Sequence, residues 1–132
     1  ILKHNSVLSY SPTELSILLL GWSYKPGIAD ARETPVKPLA MEFVEIGCKV
    51  HVWDPYIPVD SRPEDGLKWV EKPESAKADV VVLCTAHPEV ITLDWIKLRT
   101  SSKIGFLYDG RRVLDRDILQ SAGWTIGAVG RP

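Results

Sequence analysis

Short apolar runs bounded by turn residues recur along this chain, and they constrain its fold more than any other feature. Residues 16–21 (SILLLG), 79–85 (DVVVLCT) and 103–108 (KIGFLY) are nearly unbroken stretches of Val, Ile, Leu and Phe. They are too short for typical helices and lack the polar alternation of a strand with one wet face. Such strands are buried on both sides, which happens when helices cover a parallel sheet above and below. Residues 49–53 (KVHVW) alternate and end at Asp54-Pro55, and residues 124–129 (WTIGAV) supply a fifth strand. Thr34-Pro35 is a helix start, with a hydroxyl to cap and a proline in the first turn, although Pro38 leaves the first residue open. Leu39, Ala40, Phe43, Val44 and Gly47 keep the three-and-four spacing of one helical face, predicting a helix to about Ile46 with Gly47 in the left-handed position after it. Further helical segments are predicted near residues 69–77, 93–98 and 113–122, and residues 56–66 read as a surface loop. The expected fold is α/β, a Rossmann-like three-layer sandwich with a parallel sheet of about five or six strands.

The length, 132 residues, suits one domain and is too short for a cofactor domain plus a substrate domain. Residues 16–132 are read as that domain and residues 1–15 as a linker or an N-terminal arm. Ile1 in place of Met suggests an excised piece of something longer. Hydrophobic residues at 45% and charged residues at 25% argue against disorder. Sixteen Lys and Arg against 17 Asp and Glu provide no positive field for a phosphate backbone, so nucleic acid is not an expected partner. No apolar run approaches the roughly 20 residues that span a bilayer, so no membrane partner is expected. Cys48 and Cys84 sit in apolar stretches, where a buried thiol is the common role, and a reducing, cytoplasmic setting follows.

In an open parallel sheet, ligands bind beyond the carboxyl ends of the strands. Four segments qualify. After the first strand, Gly21 and Gly27 miss the G-x-G-x-x-G spacing of a dinucleotide site. The same segment offers the Tyr24 ring, the Lys25 cation beside Pro26, and Arg32 near a helix start, a set suited to a diphosphate. Alternatively Lys25 and Arg32 are solvated loop charges, with Arg32 paired to Asp30 or Glu33. Asp54, after the second strand, lies where a ribose-binding carboxylate sits in dinucleotide folds, but without the glycine fingerprint it is better read as a turn former. His87, after the third strand, is either a ligand donor or a loop residue. After the fourth, Asp109-Gly110-Arg111-Arg112 is expected to make a sharp turn that projects Arg111 toward the sheet edge while Arg112 leans toward solvent or Asp115; alternatively it is a turn followed by helix-flanking cations. Neither cysteine resembles an activated nucleophile, and no catalytic triad or metal-ligand cluster is evident, so no catalytic and no metal residues are assigned.

The stretches LLGWSYKPGIADARETPV, VHVWDPY, DVVVLCTAH, YDGRRVLD and GWTIGAVGRP resemble, in order and spacing, the C-terminal domain of the UDP-glucose/GDP-mannose dehydrogenase family. Cues such as CTAH place the likeness nearest its UDP-N-acetylmannosamine dehydrogenase branch. The resemblance implies a parent enzyme, homo-oligomeric, that oxidises a sugar C6 hydroxyl to a carboxylate in two NAD-dependent steps. It further implies that this domain closes over the N-terminal and central domains to hold the UDP part of a UDP-sugar. Tyr24, Lys25 and Arg111 then correspond to substrate-binding residues and Arg32 to an arginine that reaches the NAD side. This chain has neither the dinucleotide fingerprint nor the family's catalytic-cysteine motif, so alone it should be inactive. The alternative is a stand-alone nucleotide-binding or regulatory module without a redox role.

Overall fold

Every apolar run of the sequence becomes a strand of one parallel sheet. The computed structural model describes residues 10–23, 25–27, 34–109 and 113–128. Among them the strands are β1 (Ser16–Leu20), β2 (Lys49–Trp53), β3 (Leu67–Trp69), β4 (Val80–Leu83), β5 (Phe106–Asp109) and β6 (Thr125–Ala128). They lie in the order β3-β2-β1-β4-β5-β6, with all five pairings parallel. The order reverses at β1, so the chain leaves β1 and β4 on opposite sides of a crevice at their carboxyl ends.

The helices are α1 (Val36–Glu45), α2 (Trp95–Thr100) and α3 (Arg116–Ser121). The strands alternate between two cores. Ile17, Leu19, Val50, Val52, Val80 and Val82 pack with Val36, Ala40 and Phe43 of α1. Leu18, Leu20, Val81, Leu83 and Leu107 pack on the other face with Leu98 of α2 and Leu119 of α3. That two-sided burial is why the sequence shows continuous rather than alternating apolar runs.

Local signals explain the boundaries. The Thr34 hydroxyl accepts from Val36 N–H at 3.2 Å while donating to the Trp22 carbonyl, which joins the start of α1 to the loop after β1. Pro38 is the third residue of α1, where an N–H has no intrahelical partner to lose. At the other end Gly47, at φ +101°, donates to Val44 O and Cys48 N–H donates to Phe43 O, the paired bonds of a glycine-terminated helix. Asp94 and Asp115 cap α2 and α3 by accepting from Lys97 N–H and Ile118 N–H.

The structure corrects the expectation for residues 69–77. Predicted to be helical, they contain only a short 3-10 turn at Pro73–Ala76, and just before it Leu67–Trp69 forms the edge strand β3. The preceding loop is folded over that edge: Trp69 Nε1–H donates to Pro63 O, and the Arg62 guanidinium lies 5.1 Å from the Trp69 ring centroid. Leu15 is buried against the core and its carbonyl accepts from Lys49 N–H.

Candidate functional site

The carboxyl edge of the sheet is organised by one buried carboxylate. Asp54 follows β2 directly, and its side chain is fully covered. Oδ2 accepts from Trp22 N–H at 2.8 Å, Ser23 N–H at 2.8 Å, the Ser23 hydroxyl at 2.7 Å and His87 Nε2 at 2.9 Å. Oδ1 accepts from Tyr56 N–H at 2.9 Å, closing the Asp-Pro turn. Burial alone would push this carboxyl up. The hydrogen bonds from His87, Trp22 and Ser23 outweigh burial and hold it well below the usual carboxylate range.

His87 is buried as well, and both ring nitrogens are occupied. Nδ1 accepts from Gly27 N–H at 2.8 Å, so the ring proton is on Nε2 and points at Asp54. The imidazole is therefore neutral, and its contact with Asp54 is a charge-assisted hydrogen bond rather than an ion pair. The Tyr56 ring stacks on it at 4.4 Å, and the Tyr56 hydroxyl donates to both oxygens of Glu89. A second tie crosses the crevice, where the Thr85 hydroxyl donates to Ser23 O at 2.8 Å. Gly21 makes this approach possible. It sits at φ +103°, and a Cβ there would lie 2.4 Å from Thr85 Cβ.

Three loops, after β1, β2 and β4, are thus locked into one unit. Of the residues assigned from sequence, Lys25 lies in this unit, exposed and two residues before the anchored Gly27. Tyr24, Arg32 and Arg111 lie outside the described residues, as does Arg112. Asp109 ends β5 buried, and its Oδ2 accepts from Leu114 N–H at 3.1 Å, joining the two flanks of the DGRR segment. Asp54 proves to be the turn residue that the sequence favoured. Its wider network, and the bridging role of His87, were not foreseen. The signal that could have found them is a buried strand ending followed by Asp-Pro, by Gly-Trp-Ser or, one residue on, by Thr-Ala-His, three sets facing one crevice.

A nicotinamide dinucleotide does not fit this edge in the usual way. The backbone N–H groups of Trp22 and Ser23, which follow β1 where a pyrophosphate would be met, are already taken by Asp54. Asp54 accepts five bonds from the chain itself and its side chain is fully covered, so a ribose hydroxyl does not reach it. Among the described residues no cluster of His, Cys, Asp or Glu could hold a metal ion, and no helix is long and apolar enough to cross a membrane. Burial pushes the Cys48 thiol up, the opposite of an activated nucleophile, and the Cys84 thiol is directed at Val82 O.

Residues 18–116 match the family model described as "UDP-glucose/GDP-mannose dehydrogenase family, UDP binding domain". The chain belongs to that family. This UDP binding domain is 31% identical over 124 residues to UDP-N-acetyl-D-mannosamine dehydrogenase of Pyrococcus horikoshii, covering 91% of this chain and 26% of the relative. It is 26% identical over 133 residues to UDP-glucose 6-dehydrogenase of Drosophila melanogaster, covering 87% and 28%. Among solved structures, it superposes on NDP-N-acetyl-D-galactosaminuronic acid dehydrogenase from Methanosarcina mazei with a TM-score of 0.79 and 26% identity, over 94% of this chain and 26% of that one. The UDP binding domain described here therefore spans about a quarter of the length of these relatives.

Proposed function

We propose that this chain holds the UDP end of the substrate in an NAD-dependent UDP-sugar 6-dehydrogenase that oxidises a sugar C6 hydroxyl to a carboxylate. The observation that carries the reading is the match of residues 18–116 to the UDP binding domain of the family. The locked crevice that presents Lys25 supports it. Residues 16–132 form the binding unit, and residues 1–15 are an arm from the preceding part of the parent. Lys25 supplies a point charge to the diphosphate, Tyr24 an aromatic face, and Arg111 a two-pronged donor; Arg32 serves the NAD side. The occupied N–H groups of Trp22 and Ser23 favour NAD bound mainly by a domain absent from this chain. The reacting cysteine is likewise assigned to the parent, a cytoplasmic homo-oligomer, so the isolated chain reduces no NAD. UDP-N-acetylmannosamine is the favoured substrate, in keeping with the Pyrococcus horikoshii relative.

Calorimetric titration of the chain with UDP and with the free sugar tests the reading. UDP should bind weakly, since closure onto other domains supplies further contacts, and the free sugar more weakly still. A tighter response to the sugar than to UDP would overturn it.

A further inference from the structure

Nothing about a UDP site requires the histidine after β4 to be buried with both nitrogens engaged. The geometry points to His87 as a positioning residue: it carries the fixed position of Asp54 to the Lys25-Pro26-Gly27 segment and so sets the affinity of that segment for a nucleoside diphosphate. This deepens the UDP-binding reading and rests on it.

The argument is one of hydrogen-bond polarity. Asp54 is immobilised by Trp22 N–H, Ser23 N–H and hydroxyl, and Tyr56 N–H, all from the ends of β1 and β2. It presents an acceptor to Nε2, so the imidazole donates there and is left with a lone pair on Nδ1. That lone pair is what Gly27 N–H meets at 2.8 Å. Reversing the tautomer, or adding a second proton, would turn Nδ1 into a donor facing a donor. The ring cannot rotate away freely, because Tyr56 covers one face and is itself held by Glu89. Gly27 is exposed, at φ +71°, and among the described residues nothing lies near where its side chain would be. Its bond to His87 ties the segment carrying Lys25 to the buried core at this end. Asp54, Tyr56 and Glu89 are the titratable groups gathered around the imidazole, and Lys25 is the charge on the segment it holds.

Three measurements on the full chain test this. Long-range nitrogen–proton NMR correlations at neutral pH should report the Nε2–H tautomer for His87; a Nδ1–H tautomer or an imidazolium overturns the proposal without any variant having to fold. His87→Phe keeps a ring to stack on Tyr56 but removes both bonds. It should accelerate amide exchange at Gly27 while the strand amides stay protected, and weaken UDP binding roughly 3- to 10-fold, the equivalent of one net hydrogen bond. His87→Gln, whose amide offers a donor and an acceptor in one plane, should recover part of both. Unchanged Gly27 exchange, or wild-type UDP affinity in His87→Phe, overturns the proposal. Failure of the wild-type chain to bind UDP would instead sink the functional reading and the ligand half of this one, and the Gly27 exchange rates would still decide whether His87 holds the segment.

Discussion

Asp54→Asn should destabilise the fold by about 3 kcal/mol, and the figure follows from what the carboxylate does. Oδ2 serves four donors and Oδ1 one. With the amide oxygen in the Oδ2 position, the new NH2 group faces Tyr56 N–H, and a buried bond becomes a donor against a donor, costing about 1–3 kcal/mol. The four remaining bonds lose their charge assistance, each falling from roughly 1.5–3 to roughly 0.5–1.5 kcal/mol. Against this, a neutral amide is less costly to bury than a carboxylate, which recovers several kcal/mol. The balance is a net loss of about 3 kcal/mol. Urea denaturation at pH 7 measures it directly, with the slope unchanged and the midpoint lowered. For a domain of this size the melting temperature should drop by about 10 °C. A loss below about 1 kcal/mol, the range of an ordinary surface change, would refute the claim that this carboxylate organises the carboxyl edge of the sheet.

The same carboxylate predicts the acid limb of stability. Its pKa is lowered in the folded state from the ordinary value of 3.8, so its contribution is fully present above that value and is lost as pH falls through the lower folded one. Denaturation curves between pH 7 and pH 2 should show that loss in the wild type and a flatter limb in Asp54→Asn; parallel limbs would contradict it. Gly21→Ala forces a left-handed backbone on alanine and drives its Cβ to 2.7 Å from Thr85 N, so it should cost about 3 kcal/mol in the same assay, and near-wild-type stability would show that the two loops are not in close contact.

The sheet was legible because its centre is built from residues that have no other use. Val80–Leu83 and Ser16–Leu20 are apolar on both faces, and no element but a covered strand accommodates that. Helix α1 was legible from its stripe and from Gly47, whose terminating bonds are local. Strand β3 was not. Leu67–Trp69 is three residues long at the sheet edge, with exposed Lys68 between two half-buried neighbours, and so carries almost no apolar signature. The apolar pattern extends a strand back to residue 103, yet Gly105, at φ +72° with its N–H on the Ser102 hydroxyl, makes a turn there and β5 begins at Phe106. At the site, the Asp-Pro turn was readable because Tyr56 N–H lies two residues from Asp54. The partners that give Asp54 its character come from 31 to 33 residues away, and Gly27 meets His87 across 60. No local pattern encodes such pairings.

Those long separations have a kinetic meaning. The donors around Asp54 reach it only when β1, β2 and β4 already lie side by side, so three distant stretches of chain must be assembled before the carboxylate is enclosed. Its bonds therefore belong to the native side of the folding barrier, where they slow the escape from the folded state and do little to hasten entry into it. The buried carboxylate is thus a brake on unfolding, and the lifetime of the folded crevice depends on a residue that is itself covered and out of a ligand's reach.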